Sequence, residues 1–122
     1  MNNYDIQAKQ RFGETDAYKE YQQKSANYTK DKWQEITDGL MSIFAKFAAC
    51  KNNGYTADSN HAQALVKELQ DYITENYYTC TKEILAGLGQ MYTADERFKT
   101  NIDKHGDGTS DFVRQAIKTY CK

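Results

Sequence analysis

Cys80 is the side chain best placed to do chemistry. It stands just ahead of a helical stretch in Tyr77-Tyr78-Thr79-Cys80-Thr81-Lys82. Peptide dipoles at a helix N-terminus favour a thiolate, and the Lys82 ammonium acts in the same direction. Such a sulfur could add to an electrophilic ligand, but on spacing alone the plainer reading is a small, inert, buried filler. Cys50 and Cys121 have no such surroundings and are expected to be filler. Three cysteines spaced this far apart make no disulfide framework. His61 and His105 are the only histidines, and neither has a partner at metal-ligand spacing, so no metal site is expected. His61 falls in a first helical turn rather than deep in an apolar stripe, which argues against haem. No Gly-x-Ser-x-Gly, phosphate loop or His-Glu-x-x-His occurs, so no catalytic residue is assigned. Gly87-Leu88-Gly89 lacks the third glycine of a nucleotide fingerprint. Its glycines read as room for the close approach of a helix or a flat ligand.

The remainder of Tyr77–Phe98 fits a cavity floor, with aromatics and small residues together around the thiol. The chain has ten tyrosines against five phenylalanines and one tryptophan. A tyrosine pairs an apolar body with a polar tip, which suits a half-wet wall. At 122 residues, 39% hydrophobic and 27% charged, the chain is one globular domain. Sixteen basic residues nearly cancel seventeen acidic ones, so nothing attracts nucleic acid or anionic membrane. No apolar run reaches the length of a membrane span, and Met1 to Gln10 lacks the apolar region of a signal peptide. A cytoplasmic protein is expected.

Proline is absent, and apolar residues recur at threes and fours with no period of two. The fold class is therefore all-α, with roughly six or seven helices. Residues 4–11 suggest a short arm, Phe12-Gly13 a break, and Thr15 a cap for a helix to about Lys24. That helix shows little apolar surface beyond Tyr18 and Tyr21, so residues 1–28 are expected to be the loosest part. Residues 29–122 form the core. Thr29 caps a long helix with Tyr28 stapled to Trp33, and Asn52-Asn53-Gly54 supplies left-handed residues to close it. Gly39 in its middle marks close packing or a bend. Ser59 caps a third helix and Thr79 or Thr81 a fourth. Thr93-Ala-Asp-Glu96 reads as a capping box, and Thr109 caps the last helix.

Several runs resemble the TipAS family, the antibiotic-recognition domains of thiostrepton-induced, MerR-type transcription activators. They are Phe12-Gly13-Glu14-Thr15-Asp16-Ala17-Tyr18, Ser25-x-x-Tyr28-Thr29-Lys30-x-x-Trp33 and Tyr77-Tyr78-Thr79-Cys80. They continue in Gly87-Leu88-Gly89-Gln90-Met91-Tyr92, Asp95-Glu96-Arg97-Phe98-x-x-Asn101-Ile102-Asp103 and Ala116-Ile117. The likeness runs from about Arg11 to Cys121. It departs where the family commonly has Trp and this chain has Phe12, which removes an indole donor.

The resemblance implies a globin-like fold without haem or other cofactor. It also implies mobile N-terminal helices that close over bulky peptide-derived antibiotics such as thiopeptides. The family prototype captures dehydroalanine-containing ligands through a cysteine, and Cys80 lies in the corresponding region. The family's DNA-binding region and coiled coil lie upstream. The chain then reads as the effector domain of an activator that touches DNA only through that region, in a dimeric full-length protein. The alternatives are a stand-alone sequestering protein, a helical interaction domain without a small ligand, and an enzyme using Cys80. On the leading reading, Trp33, Phe44, Phe47, Tyr72, Tyr77, Tyr92 and Phe98 line the cleft. Phe12, Tyr18 and Tyr21 fold over the ligand, and Cys80 is an optional trap.

Overall fold

A computed structural model describes residues 16–122, with side chains from Lys19 onward. The expectations for residues 4–11, for Phe12-Gly13 and for a cap at Thr15 lie outside the described residues, as does the side chain of Tyr18. Six helices appear among the described residues: α1 (Asp16–Ser25), α2 (Lys30–Asn52), α3 (Asn60–Asn76), α4 (Lys82–Ala94), α5 (Glu96–Asp103) and α6 (Thr109–Tyr120). No strand occurs among the described residues, so the fold is all-α as the periodicity predicts.

The apolar stripe of α2 organises the core. Ile36, Leu40, Ile43, Phe44, Phe47 and Cys50 are all buried along one face of its 23 residues. At about 1.5 Å per residue the helix crosses the whole domain. The amphipathic α6 buries Phe112, Val113, Ala116 and Ile117, and packs on α2, α3, α4 and α5. Val66 and Leu69 of α3, Leu85 of α4 and Ile102 of α5 close the interior from the remaining sides.

Three caps fall where the sequence puts them. Thr29 Oγ1 accepts from Lys32 N–H at 3.1 Å, Ser59 Oγ from Ala62 N–H at 3.2 Å, and Thr81 Oγ1 from Ile84 N–H at 3.2 Å. The Tyr28–Trp33 staple also forms, edge to face at 5.1 Å between ring centroids.

Three other termini differ from expectation. The turn after α2 needs a single left-handed residue, Gly54 (φ 87°), while Asn53 keeps φ −84°. Thr93 lies inside α4, its hydroxyl bonded back to Gln90 C=O, and Asp95 caps α5 by accepting from Arg97 N–H at 2.9 Å. A carboxylate outcompetes a hydroxyl here because it brings charge to the helix N-terminus. Thr109 is the first residue of α6 rather than its cap. Gly108 (φ 80°) precedes it, and the Asp103 carboxylate reaches across from α5 to accept from Ser110 N–H at 2.8 Å. His105 sits in the turn after α5, where its N–H donates to Ile102 C=O.

Candidate functional site

Helix α1 reaches the body of the domain through three side chains, joined by Tyr28 in the link that follows it. Glu20 grips the segment leading into α4, its two oxygens accepting from Thr79 N–H at 2.8 Å and Thr79 Oγ1 at 2.9 Å. One turn on, Lys24 Nζ donates to Thr74 C=O at 2.7 Å and lies 3.6 Å from Glu20. It thereby brings a cation to the carbonyl end of α3, where the helix dipole is negative. Tyr28 Oη donates to Asn76 C=O at 2.8 Å. Between these polar ties Tyr21 is buried, 3% exposed.

Tyr21 enters an aromatic cluster drawn from three parts of the chain. Its ring centroid lies 6.1 Å from Trp33 of α2 and 6.4 Å from Tyr77 after α3, and Trp33 and Tyr77 are 6.0 Å apart. Tyr28 closes the fourth side against Trp33. Trp33 is only half-buried, so this cluster lies at the boundary of the core. Three predicted site residues thus come together, joined by Tyr28, which the sequence marks only as a staple.

The other predicted aromatics sit elsewhere. Phe44 is fully buried and meets Tyr92 edge-on at 5.3 Å, and Tyr92 meets Phe98 at 5.9 Å. Phe47 is also fully buried and packs on Phe112 of α6 at 6.5 Å. Tyr72 lies on the α2–α3 contact, where its hydroxyl donates to Ile36 C=O at 2.8 Å. Gly39 makes that contact possible, since a Cβ there would stand 2.1 Å from Tyr72 Oη.

The glycines of α4 divide in the same way. A Cβ on Gly89 would meet Ile117 at 3.3 Å, so Gly89 serves the α4–α6 contact. One on Gly87 meets nothing within 4 Å among the described residues. Open depressions occur on the surface formed by the described residues. One of 380 Å³ lies between Thr56–Asp58 and the end of α6, and one of 400 Å³ lies along α3 from Ala64 to Glu75. Neither is lined by residues 77–98.

Burial works against a thiolate at Cys80. The residue is 3% exposed, and burial pushes its thiol up to about 12. Desolvation of a thiolate outweighs the peptide dipoles when the sulfur is this deep. Its backbone is held as well, with N–H donating to Thr74 Oγ1 at 3.0 Å and C=O accepting from Gln70 Nε2 at 2.8 Å. The exposed His61 stacks on Tyr55 at 4.0 Å. No group of three or more potential metal ligands exists among the described residues, and no described helix is long and apolar enough to cross a membrane.

The Glu20 contact carries a pH dependence. Thr79 N–H holds its carboxyl below the ordinary value of 4.5, assisted by Thr79 Oγ1 and Lys24. Asp95 and Asp103 are lowered too; burial opposes the shift, but the helix N–H groups and cationic neighbours they bind outweigh it. A depressed folded pKa stabilises fully above the unfolded value and is lost as pH falls through the folded one. Docking of α1 is therefore expected to be flat above about pH 5 and to weaken progressively below about pH 4. Hydrogen exchange of the 16–25 amides measures it directly. Glu20→Gln is expected to raise those exchange rates at pH 7 while leaving α6 amides unchanged.

The TipAS antibiotic-recognition domain model matches residues 4–120. The chain is 37% identical over 116 residues to the HTH-type transcriptional activator TipA of Streptomyces coelicolor, covering 95% of this chain and 46% of TipA. It is 36% identical over 102 residues to the HTH-type transcriptional activator Mta of Bacillus subtilis, covering 84% of this chain and 39% of Mta. It thus spans less than half the length of these curated relatives. Among solved structures it superposes on Streptomyces lividans TipAS in complex with nosiheptide, part of a thiopeptide antibiotic multidrug resistance system. That match has a TM-score of 0.83 and 36% identity, covering 97% of this chain and 82% of the other. Sequence and fold agree over nearly the whole length: the chain belongs to the TipAS antibiotic-recognition domain family.

Proposed function

We infer that this chain is the drug-sensing effector domain of a MerR-type transcription activator, binding bulky peptide-derived antibiotics such as thiopeptides. Its role is recognition without turnover, and it reaches DNA only through a region upstream. The observation that carries this is the boundary aromatic cluster, in which Tyr21 of α1 stands against Trp33 and Tyr77 of the body. A family of antibiotic-recognition domains supplies its meaning. Aromatic faces at a wet boundary suit a large ligand rich in flat rings.

Trp33 and Tyr77 form the fixed wall of the cleft, and residues 1–28 act as its lid. Tyr21 of α1 is the lid's anchor. Tyr92 and Phe98 pack with Phe44 inside the core and support the wall from the α4–α5 side. Phe44, Phe47 and Tyr72 contribute by holding α2 in place. Ligand binding then draws on how firmly α1 is docked, and this passes the signal towards an attached DNA-binding region.

Titration of the chain with nosiheptide tests the proposal, by calorimetry for binding and circular dichroism for helicity. Saturable one-to-one binding with a change in helicity is the expected result. No heat together with an unchanged spectrum would remove it.

A further inference from the structure

All three cysteines of the chain fall among the described residues, so every thiol can be placed. Cys50 is buried near the C-terminal end of α2, close to Ser59, the cap of α3. Cys80 is buried with its sulfur 3.9 Å from Thr81 C=O, on a backbone tied at both its N–H and its C=O. Cys121, just past α6, is partly exposed, and its thiol donates to Lys82 C=O at 3.4 Å. Burial raises the pKa of each.

Covalent capture of a dehydroamino acid needs a thiolate that can reach the ligand. The sulfur forms a bond to the β-carbon, the C=C π pair shifts to the α-carbon, and solvent delivers a proton there. The electrophilic carbon must approach within bonding distance of the sulfur. At Cys80, the one thiol in the predicted site, that approach is filled by packed protein. Burial also disfavours the thiolate, pushing the thiol up to about 12.

We propose that this domain recognises its ligand reversibly, with no covalent step, and therefore takes bulky aromatic-rich peptides whether or not they carry an electrophilic dehydroamino acid. This rests on the binding function proposed above. Affinity then comes from the aromatic cluster of Tyr21, Trp33 and Tyr77 alone, and the sensor resets when the antibiotic is withdrawn. No sulfur–carbon bond has to be broken.

Nosiheptide serves as the probe, with its electrophile first shown competent by adduct formation on a free-thiol peptide. The complex is divided between calorimetry, denaturing intact-mass measurement and dialysis. The expected result is one-to-one binding, an unmodified protein mass, and complete loss of ligand on dialysis. A ligand adduct that survives denaturation overturns the inference while leaving the binding function intact, and Cys80→Ser and Cys121→Ser then locate it. Absence of any binding removes the function instead, and a second arm still decides the thiol question. N-ethylmaleimide should label Cys80 in the native chain at least a hundredfold more slowly than in the urea-unfolded chain. Equal rates would overturn the inference whatever nosiheptide does.

Discussion

Replacing Trp33 by alanine is expected to weaken nosiheptide binding by about a hundredfold, near 2.7 kcal/mol, the scale of an aromatic hot spot. Trp33 touches Tyr21, Tyr28 and Tyr77 at once, with centroids between 5.1 and 6.1 Å, and stays half-buried. Truncation removes both the ligand's wall and the surface against which α1 docks. Phe44→Ala should give the opposite pattern. Phe44 is fully buried under Tyr92, and losing its ring leaves a cavity that costs about 3–5 kcal/mol of stability. Folded molecules of that variant should bind within a factor of a few of the parent. Urea unfolding and calorimetry on both variants separate cleft wall from core. Equal loss of affinity in the two would mean that the fully buried aromatics face the ligand as directly as Trp33 does.

The second large effect is a reversal of sign. Glycine to alanine inside a helix ordinarily stabilises by about 1 kcal/mol. At Gly39 it should instead destabilise by about 3 kcal/mol, because the new methyl would stand 2.1 Å from Tyr72 Oη. The tyrosine cannot simply withdraw, since its hydroxyl is bonded to Ile36 C=O and its ring lies on the α2–α3 contact. Adding Tyr72→Phe should recover part of the loss, and only part, because the ring carbon Cζ would still be 2.8 Å away. Thermal unfolding of the two single variants and the double variant completes the cycle. A stabilised Gly39→Ala would contradict the packing described for Tyr72.

Why some features are legible in the sequence and others not follows from these same residues. The α2 stripe, the caps at Thr29, Ser59 and Thr81 and the Tyr28 staple depend on chemistry within a few residues, and the sequence contains all of it. The choice between Thr93 and Asp95 as a cap is less local. Both are capping residues, and the helix boundary depends on how α4 packs against α5 and α6. Phe44, Tyr92 and Trp33 all look like members of apolar stripes, and only the elements packed across from them separate core from boundary. Glu20 and Lys24 are four residues apart on a helix with little apolar surface. Nothing near them indicates that Thr79 and the carbonyls of α3 lie opposite. At Cys80 the helix dipole is visible in the sequence but the burial is not, and burial is the larger effect. Gly39 is legible as a place of close packing and Gly89 as room for a helix or a ligand, but that their neighbours are Tyr72 and Ile117 is not.

Trp33 is the only tryptophan in the chain and stands in the proposed wall, so its fluorescence reports on the site without a label. Nosiheptide titrated into the domain should change Trp33 emission saturably, at the stoichiometry and affinity given by calorimetry, with Trp33→Phe supplying the correction for ligand absorbance. Calorimetric binding that leaves the corrected Trp33 emission unaltered would contradict the placement of the ligand against the Tyr21–Trp33–Tyr77 cluster.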